Sequence, residues 1–430
     1  MTVSSHSLLP NATLAAAQRA IDRCKLLARF TETPGKIQRT FLCDPIRHCH
    51  RELANWMRAL GAEVKIDAAG NFRAVYPGLA PDAHRLLIGS HLDTVPDAGE
   101  YDGALGVVLA IALIEELNGK KLPFAVEVAG FSEEEGIRFG VPFIGSRALT
   151  GTLDPDLLGR QDGNGVTIQQ AIEAFGLDPN DIPAAIAHNV LGYIEFHIEQ
   201  GPVLETMNRP LAAVNAIVGQ SRFELIFRGA ANHAGTTPMI SRRDSLAGAA
   251  EWITAVERKA HSVAGLVATV GSIHATPGVT NVIAEETRLS LDVRHASNEL
   301  RTQAVEALLG EAACIAQSRG LQVLWNERMN QPAVAMDPFL VVQIEKSIAD
   351  AGCAPHRMAS GAGHDAMILA QRIPAAMIFL RSPGGISHNP AETVEITDVA
   401  KAIDAGLRLL DRLASSREFL SGAVYKRPEV

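Results

Sequence analysis

The chain has 430 residues, 47% of them hydrophobic and 20% charged, with a formal net charge of -9. That is enough apolar material for packed cores, too much for a disordered polymer, and more length than one core usually holds, so two domains are expected. The acidic balance disfavours nucleic acid, whose phosphates need a basic footprint, and charge or glycine breaks every apolar stretch before it could span a membrane.

Met1 to Pro10 lacks the basic and apolar regions of a secretory leader. The five cysteines (Cys24, Cys43, Cys49, Cys314, Cys353) are odd in number and scattered, without a CxxC pair. That pattern suits reduced thiols and a cytoplasmic chain.

In chain order, Asp44 and Pro45 open a helix on which Ile46, Cys49, Leu53, Trp56 and Leu60 recur at helical spacing. His48-Cys49-His50 is therefore read as a core cysteine between divergent histidines, not as a metal tract. Arg85 to Gly89, Phe124 to Phe131 and Gly192 to Ile198 read as buried strands. A helix from Gly103 to Leu117 follows Asp102 and ends before the breaker Asn118-Gly119. Gly159 to Gly165 follows no strand and reads as a loop. This alternation predicts an α/β layer, with a mixed, mainly parallel sheet flanked by helices.

From Val214 the rhythm changes. A strand, Arg222 to Arg228, precedes a helix from Pro238 to Ala260, strands Leu266 to Ile273 and Thr287 to Arg294, a helix from Glu299 to Ser318, and a strand, Leu321 to Trp325. That β-α-β-β-α-β order is a self-contained α+β unit, read as an insertion over 214–328 in a first domain made of 1–213 and 329–430. The first pattern then resumes with a helix from Pro338 to Ala351 and an apolar run, Ala375 to Leu380.

Groups able to bind metal stand at the ends of these runs. His91 and Asp93 lie in Ser90-His91-Leu92-Asp93-Thr94-Val95, Asp102 in Tyr101-Asp102-Gly103, and three glutamates in Ser132-Glu133-Glu134-Glu135-Gly136. His197 and His388 complete the set. Imidazoles and carboxylates without a thiolate suit Zn, Mn, Co or Ni. In open α/β sheets, ligands gather beyond the carboxyl ends of the strands. Taken singly, Asp102 could be a helix cap and the glutamates a solvated charge run. Five candidates at one rim favour a catalytic metal centre. Asp93, two residues after His91, is placed to hydrogen-bond the other imidazole nitrogen through its carboxylate.

The metal motifs, Phe196 to Glu205, the run from Asn232 to Met239, Asp292-Val293-Arg294 and Gly361-Ala362-Gly363-His364-Asp365 occur in that order. From about Arg29 to Leu410 the chain resembles the two-metal amidohydrolase family of allantoate amidohydrolase, N-carbamoyl-L-amino-acid hydrolase and β-ureidopropionase, within the wider carboxypeptidase-G and aminoacylase group. The resemblance implies two divalent ions, Zn or Mn with Co or Ni possible. His91 and His197 would hold one ion, Glu135 and His388 the other, and Asp102 would bridge them. Glu134 would be the general base. The extra Glu133 leaves the register open by one, with Glu133 as base and Glu134 as ligand in the other reading.

The same resemblance makes Arg294 the anchor of a substrate carboxylate, with Asn281 beside it and His233 polarising the scissile carbonyl. Guanidinium suits that task through two parallel N–H bonds; an ordinary strand-end salt bridge is the alternative. Gln200, Gly363 and His364 would meet substrate. The insert would serve as lid and as the surface of a homodimer. The implied reaction is hydrolysis of a small ureido carboxylate. Allantoate comes first, because Arg381 to His388 and Arg39-Thr40-Phe41-Leu42 look closer to that subgroup. N-carbamoyl-L-amino acids are the alternative, and N-carbamoyl-β-alanine comes third. A catalytically silent carboxylate-binding protein would not need a base beside five ligands.

Overall fold

The computed structural model describes residues 11–422, so Met1 to Pro10 lie outside the described residues. The chain forms two compact units. Among the described residues, one comprises 11–215, Met336–Met358 and 363–422; the other comprises Ala216–Ala335 with Ala359–Ala362.

In the larger unit the strands run in the order Glu63–Ile66, Phe72–Tyr76, Ala125–Phe131, Arg85–His91, Val190–Ile198, Ala375–Leu380, Leu211–Ile217. The central pairings are parallel, and the outer ones are antiparallel. Ala125–Phe131 and Ala375–Leu380 are buried at every residue. A strand covered on both faces is mostly apolar; the one charge in these two segments, Glu127, is buried with its carboxylate accepting from Arg73 Nε at 2.6 Å and Arg85 Nη1 at 3.0 Å. Ala104–Glu116 is likewise buried at every residue from Ala104 to Ile114, because it packs on Arg85–His91, on Asn11–Ala28 and on Ile396–Ser415. Among the described residues no helix is long and apolar enough to cross a membrane.

Asp102 does not cap that helix. Gly103 occupies the cap with φ 65°, and a Cβ there would lie 2.4 Å from the His91 ring. Only glycine combines that backbone conformation with so close an approach. The helix Asp44–Ala59 buries Cys49 and His50, with the His50 ring between Phe72 and Phe175.

The smaller unit has an antiparallel sheet in the order Gln322–Gln331, Gly219–Arg228, Glu286–His295, Val267–Thr269, and Ile273–Thr276 also pairs with Glu286–His295. Its core joins Phe223, Leu225, Phe227, Leu289, Leu291 and Val293 to Trp252 and Leu308 of the helices Ser245–Ser262 and Asn298–Ser318. The single strand expected over Leu266 to Ile273 is two short strands, because Ser272 N turns aside to donate to Ser290 Oγ at 2.9 Å. The helix expected from Pro238 begins at Ser245, where the Asp244 carboxylate accepts from Leu246 N and Ala247 N. The last strand runs to Gln331, so a divide at 328 would cut it.

Candidate metal centre

The parallel strands deliver the candidate ligands to one end of the sheet of the larger unit. His91 ends Arg85–His91, His197 is the penultimate residue of Val190–Ile198, Glu133 to Glu135 follow Ala125–Phe131, and His388 follows Ala375–Leu380. Asp102 stands among them. Its Oδ1 is 3.2 Å from His197 Nε2 and 3.8 Å from His91 Nε2, while its Oδ2 is 3.1 Å from His388 Nε2. Glu135 Oε1 lies 3.3 Å from the same His388 nitrogen. The two carboxylate oxygens thus face two separate donor sets.

Ring orientation is controlled from behind. His91 Nδ1 donates to the Asp93 carbonyl and His197 Nδ1 to the Ile198 carbonyl, both at 2.9 Å. A carbonyl only accepts, so both Nδ1 atoms carry hydrogen and both Nε2 atoms turn to the cluster, 3.4 Å apart. Burial pushes the Asp102 carboxyl up, but hydrogen bonds from His197 and His388 outweigh it and hold it well below the usual range. Burial likewise opposes charge on His197, yet Asp102 raises it to about 9. Hydrogen bonds to Asp102 and Glu135 raise His388 to about 10. Two donor sets of imidazole and carboxylate around one shared carboxylate fit a pair of borderline or hard divalent ions.

The glutamate run divides by geometry. Glu133 is fully buried at φ 53°. Its carboxylate accepts from Phe41 N at 3.1 Å, Arg138 N at 2.8 Å and Phe139 N at 3.2 Å. Burial pushes it up to about 8. It is occupied with the scaffold. Glu134, 7% exposed, accepts no hydrogen bond from the described residues, and burial followed by repulsion from Glu135 pushes its carboxyl well up. That arrangement favours the register with Glu134 as base.

Asp93 acts differently from expectation. Its carboxylate is 3.9 Å from His91 Nδ1 and instead accepts Glu134 N and Glu135 N, each at 3.0 Å. The backbone carbonyl of Asp93 orients His91, because the strand ends there and leaves that oxygen free of the ladder. His364, expected to meet substrate, is 1% exposed. Its ring packs edge-on against His197 at 4.4 Å and against Phe379, behind the ligands. Gly363, beside it, is half-buried against Phe143. Gln200 joins the cluster from a left-handed position, φ 60°. Its Nε2 lies 3.3 to 3.4 Å from both Asp102 oxygens and from His388 Nε2, and its buried Oε1 lacks a partner among the described residues.

In the smaller unit, His233 Nδ1 accepts from Gly235 N at 3.0 Å and Thr236 N at 3.2 Å. The ring proton is thereby placed on Nε2, a donor on an exposed loop. Asn281 lies against this loop, its carbonyl accepting Ala234 N at 2.9 Å. It makes no hydrogen bond to Arg294. Arg294 is paired with Asp292 through Nε at 2.9 Å and Nη2 at 3.1 Å, and Nη1 donates to the Gly361 carbonyl. The strand-end salt bridge is therefore present.

Two acids escaped the sequence reading. Glu195, buried beneath His197, accepts from Ser90 Oγ at 2.9 Å and Ala366 N at 3.0 Å. A carboxylate inside an otherwise apolar strand, two residues from a histidine on the same face, was its available signal. Glu392 cradles the Asp102 backbone.

Residues 87–412 match the sequence model of peptidase family M20/M25/M40. The chain is 40% identical over 367 residues to the N-carbamoyl-L-amino acid amidohydrolase of Geobacillus stearothermophilus, across 83% of this chain and 88% of that one. It is 35% identical over 366 residues to the allantoate amidohydrolase of Escherichia coli (strain K12), with the same shares covered. Its fold is similar to the crystal structure of an amidase of the hydantoinase/carbamoylase family from Burkholderia multivorans, with TM-score 0.86 and 30% identity over 92% of this chain and 97% of that one. The chain belongs to peptidase family M20/M25/M40, a metal-dependent family, as an amidohydrolase acting on carbon–nitrogen bonds of linear amides.

Proposed function

We propose that the chain hydrolyses the ureido group of a small ureido carboxylate. The observation that carries this reading is the split of the Asp102 oxygens between two donor sets, with the unpaired carboxylate of Glu134 beside them, in a chain whose similar relatives are both named for ureido compounds. His91, His197 and Asp102 Oδ1 would hold one divalent ion, and His388, Glu135 and Asp102 Oδ2 the other. Bound ions would lower the pKa of water and polarise a carbonyl oxygen. Glu134 takes the proton of the attacking water on its carboxylate and returns it to the departing nitrogen. Its buried setting favours the protonated state between those transfers. His233 Nε2 donates to the carbonyl oxygen as negative charge develops there, a contact often worth about 3 kcal/mol. Arg294 takes the substrate carboxylate, which must compete with Asp292 for the guanidinium. Gln200, Gly363 and Asn281 complete the substrate contacts, and His364 supports His197. The smaller unit is the proposed surface of a homodimer. A cytoplasmic location rests on the free cysteines.

Allantoate is the first substrate of this proposal. A specific observation favours a second, N-carbamoyl-L-amino acids: the 40% identity to the Geobacillus enzyme. The arginines of the motifs that pointed to allantoate belong to the scaffold. Arg381 pairs with Asp398 at 2.7 and 2.9 Å, and buried Arg39 donates to the carbonyls of Leu92, Leu27 and Phe30. A panel of allantoate, N-carbamoyl-L-amino acids, N-carbamoyl-β-alanine and an N-acetyl amino acid, assayed for ammonia or amine release, tests both levels. Higher kcat/KM on allantoate supports the first substrate and higher kcat/KM on an N-carbamoyl-L-amino acid the second, while preference for the N-acetyl compound overturns the ureido reading.

A further inference from the structure

We infer that Glu392 is a positioning residue that locks the two donor sets of the centre to each other, an inference that rests on the dinuclear reading above. His388 immediately precedes a turn, Asn389 to Glu392, closed by Glu392 N donating to the Asn389 carbonyl at 3.0 Å and Ala391 N donating to Asn389 Oδ1 at 2.9 Å. From that segment two groups grip Asp102 at opposite ends. His388 Nε2 meets its side chain at Oδ2, 3.1 Å away. Glu392 Oε1 accepts its backbone N–H at 3.0 Å and that of Tyr101 at 2.9 Å. The other oxygen of Glu392 accepts the Ser387 hydroxyl at 3.2 Å, from the residue preceding His388. One carboxylate, 5% exposed, thus ties the loop of the shared ligand to the loop of the second set.

The fit is close. A Cβ on residue 99 would fall 2.3 Å from Glu392 Oε1 and 2.4 Å from its Cβ, so the carboxylate reaches the Tyr101 and Asp102 amides only because residue 99 is glycine. The first set has an independent hold on the same loop, because Gly103 packs directly on the His91 ring. Loss of Glu392 therefore leaves Asp102 beside His91 and His197 while freeing it from His388 and Glu135. The two halves should fail unequally. Partners that orient a ligand in this way typically set metal affinity by 10- to 100-fold.

The test is Mn(II) titration of the full chain by equilibrium dialysis, with electron paramagnetic resonance of the loaded protein and a thermal melt beside it. Wild type should bind two ions and give an exchange-coupled signal. Glu392→Ala should keep the first ion within a few-fold, weaken the second by 10- to 100-fold, and show isolated Mn(II). Glu392→Gln should restore two-ion binding to within a few-fold, because its amide oxygen can still accept the two backbone N–H groups while its NH₂ faces the Ser387 hydroxyl. Should Glu392→Ala not fold, Gly99→Ala, whose methyl displaces the carboxylate, takes its place with the same expected result. Two ions of wild-type affinity with an intact coupled signal in the variant would overturn the inference, even if the melt falls, since that pattern belongs to a purely structural clamp. A wild-type protein that binds fewer than two ions would overturn the dinuclear reading itself.

Discussion

Exchanging Glu134 and Glu133 separately for glutamine should produce opposite failures. Glu134→Gln removes a proton acceptor that makes no hydrogen bond to the described residues. Folding and metal content should therefore be unchanged, while kcat falls by the usual worth of a general base, about 10²- to 10⁴-fold, or roughly 3 to 5 kcal/mol in the barrier. Glu133→Gln leaves the base in place but makes one terminal atom an NH₂ donor. Oε1 faces Arg138 N and Phe139 N, and Oε2 faces Phe41 N, so either amide orientation sets a donor against a donor inside the protein. The least damaging choice, NH₂ toward Phe41, leaves one buried N–H unmet, at a cost of about 1 to 3 kcal/mol. Above about pH 8, where the wild-type Glu133 carboxyl is ionised, Glu133→Gln should therefore melt lower, while retaining metal and a kcat within about tenfold of wild type, because a tilt of the loop carrying Glu134 costs less than loss of the base. Elemental analysis, thermal melts and kcat on the best panel substrate measure all three quantities. A metal-replete, normally stable and inactive Glu133→Gln beside an active Glu134→Gln would refute the reasoning and move the base by one residue.

Two further outcomes follow from the charges of the site. With no cation bound, Asp102 outweighs burial to hold His197 at about 9, and its hydrogen bond together with that of Glu135 holds His388 at about 10, so loading at pH 7 should release roughly two protons and affinity should rise with pH. Calorimetry in two buffers of different ionisation enthalpy measures this, and loading without proton release would contradict it. Both folded values lie above the ordinary 6.5, so these histidines stabilise the chelated protein fully below that pH and lose the contribution as pH rises through about 9 to 10; melts of chelated protein should fall across that window. Arg294→Ala should raise KM for a ureido carboxylate by at least tenfold while leaving two-ion binding unchanged, and an unchanged KM would reduce Arg294 to its salt bridge with Asp292.

Local pattern made much of this molecule legible. The central strands could be read because covering both faces of a parallel sheet demands mostly apolar runs, and the ligand candidates other than Asp102 could be read because each stands at or after the end of such a run. The insert was read from the β-α-β-β-α-β order of its elements. The split at Ser272 and the late helix start at Ser245 were not, because each depends on a backbone N–H donating to a side chain, Ser290 Oγ or the Asp244 carboxylate, that competes with the regular backbone pattern.

By itself the sequence determined the central strands, the residues that follow them and the chemical type of the donor set, because all of these are properties of a few neighbouring positions. Tertiary structure alone decided how those residues divide the work. Asp93 spends its carboxylate on the amides of Glu134 and Glu135, 41 and 42 residues away. Glu133 turns inward to amides that include Phe41, 92 residues away, leaving Glu134 at the cluster. His364 lies behind His197, and Glu392 reaches Asp102 across 290 residues. A buried carboxylate must be satisfied by whichever donors the fold places within about 3 Å, and separation along the chain carries no record of which donors those are.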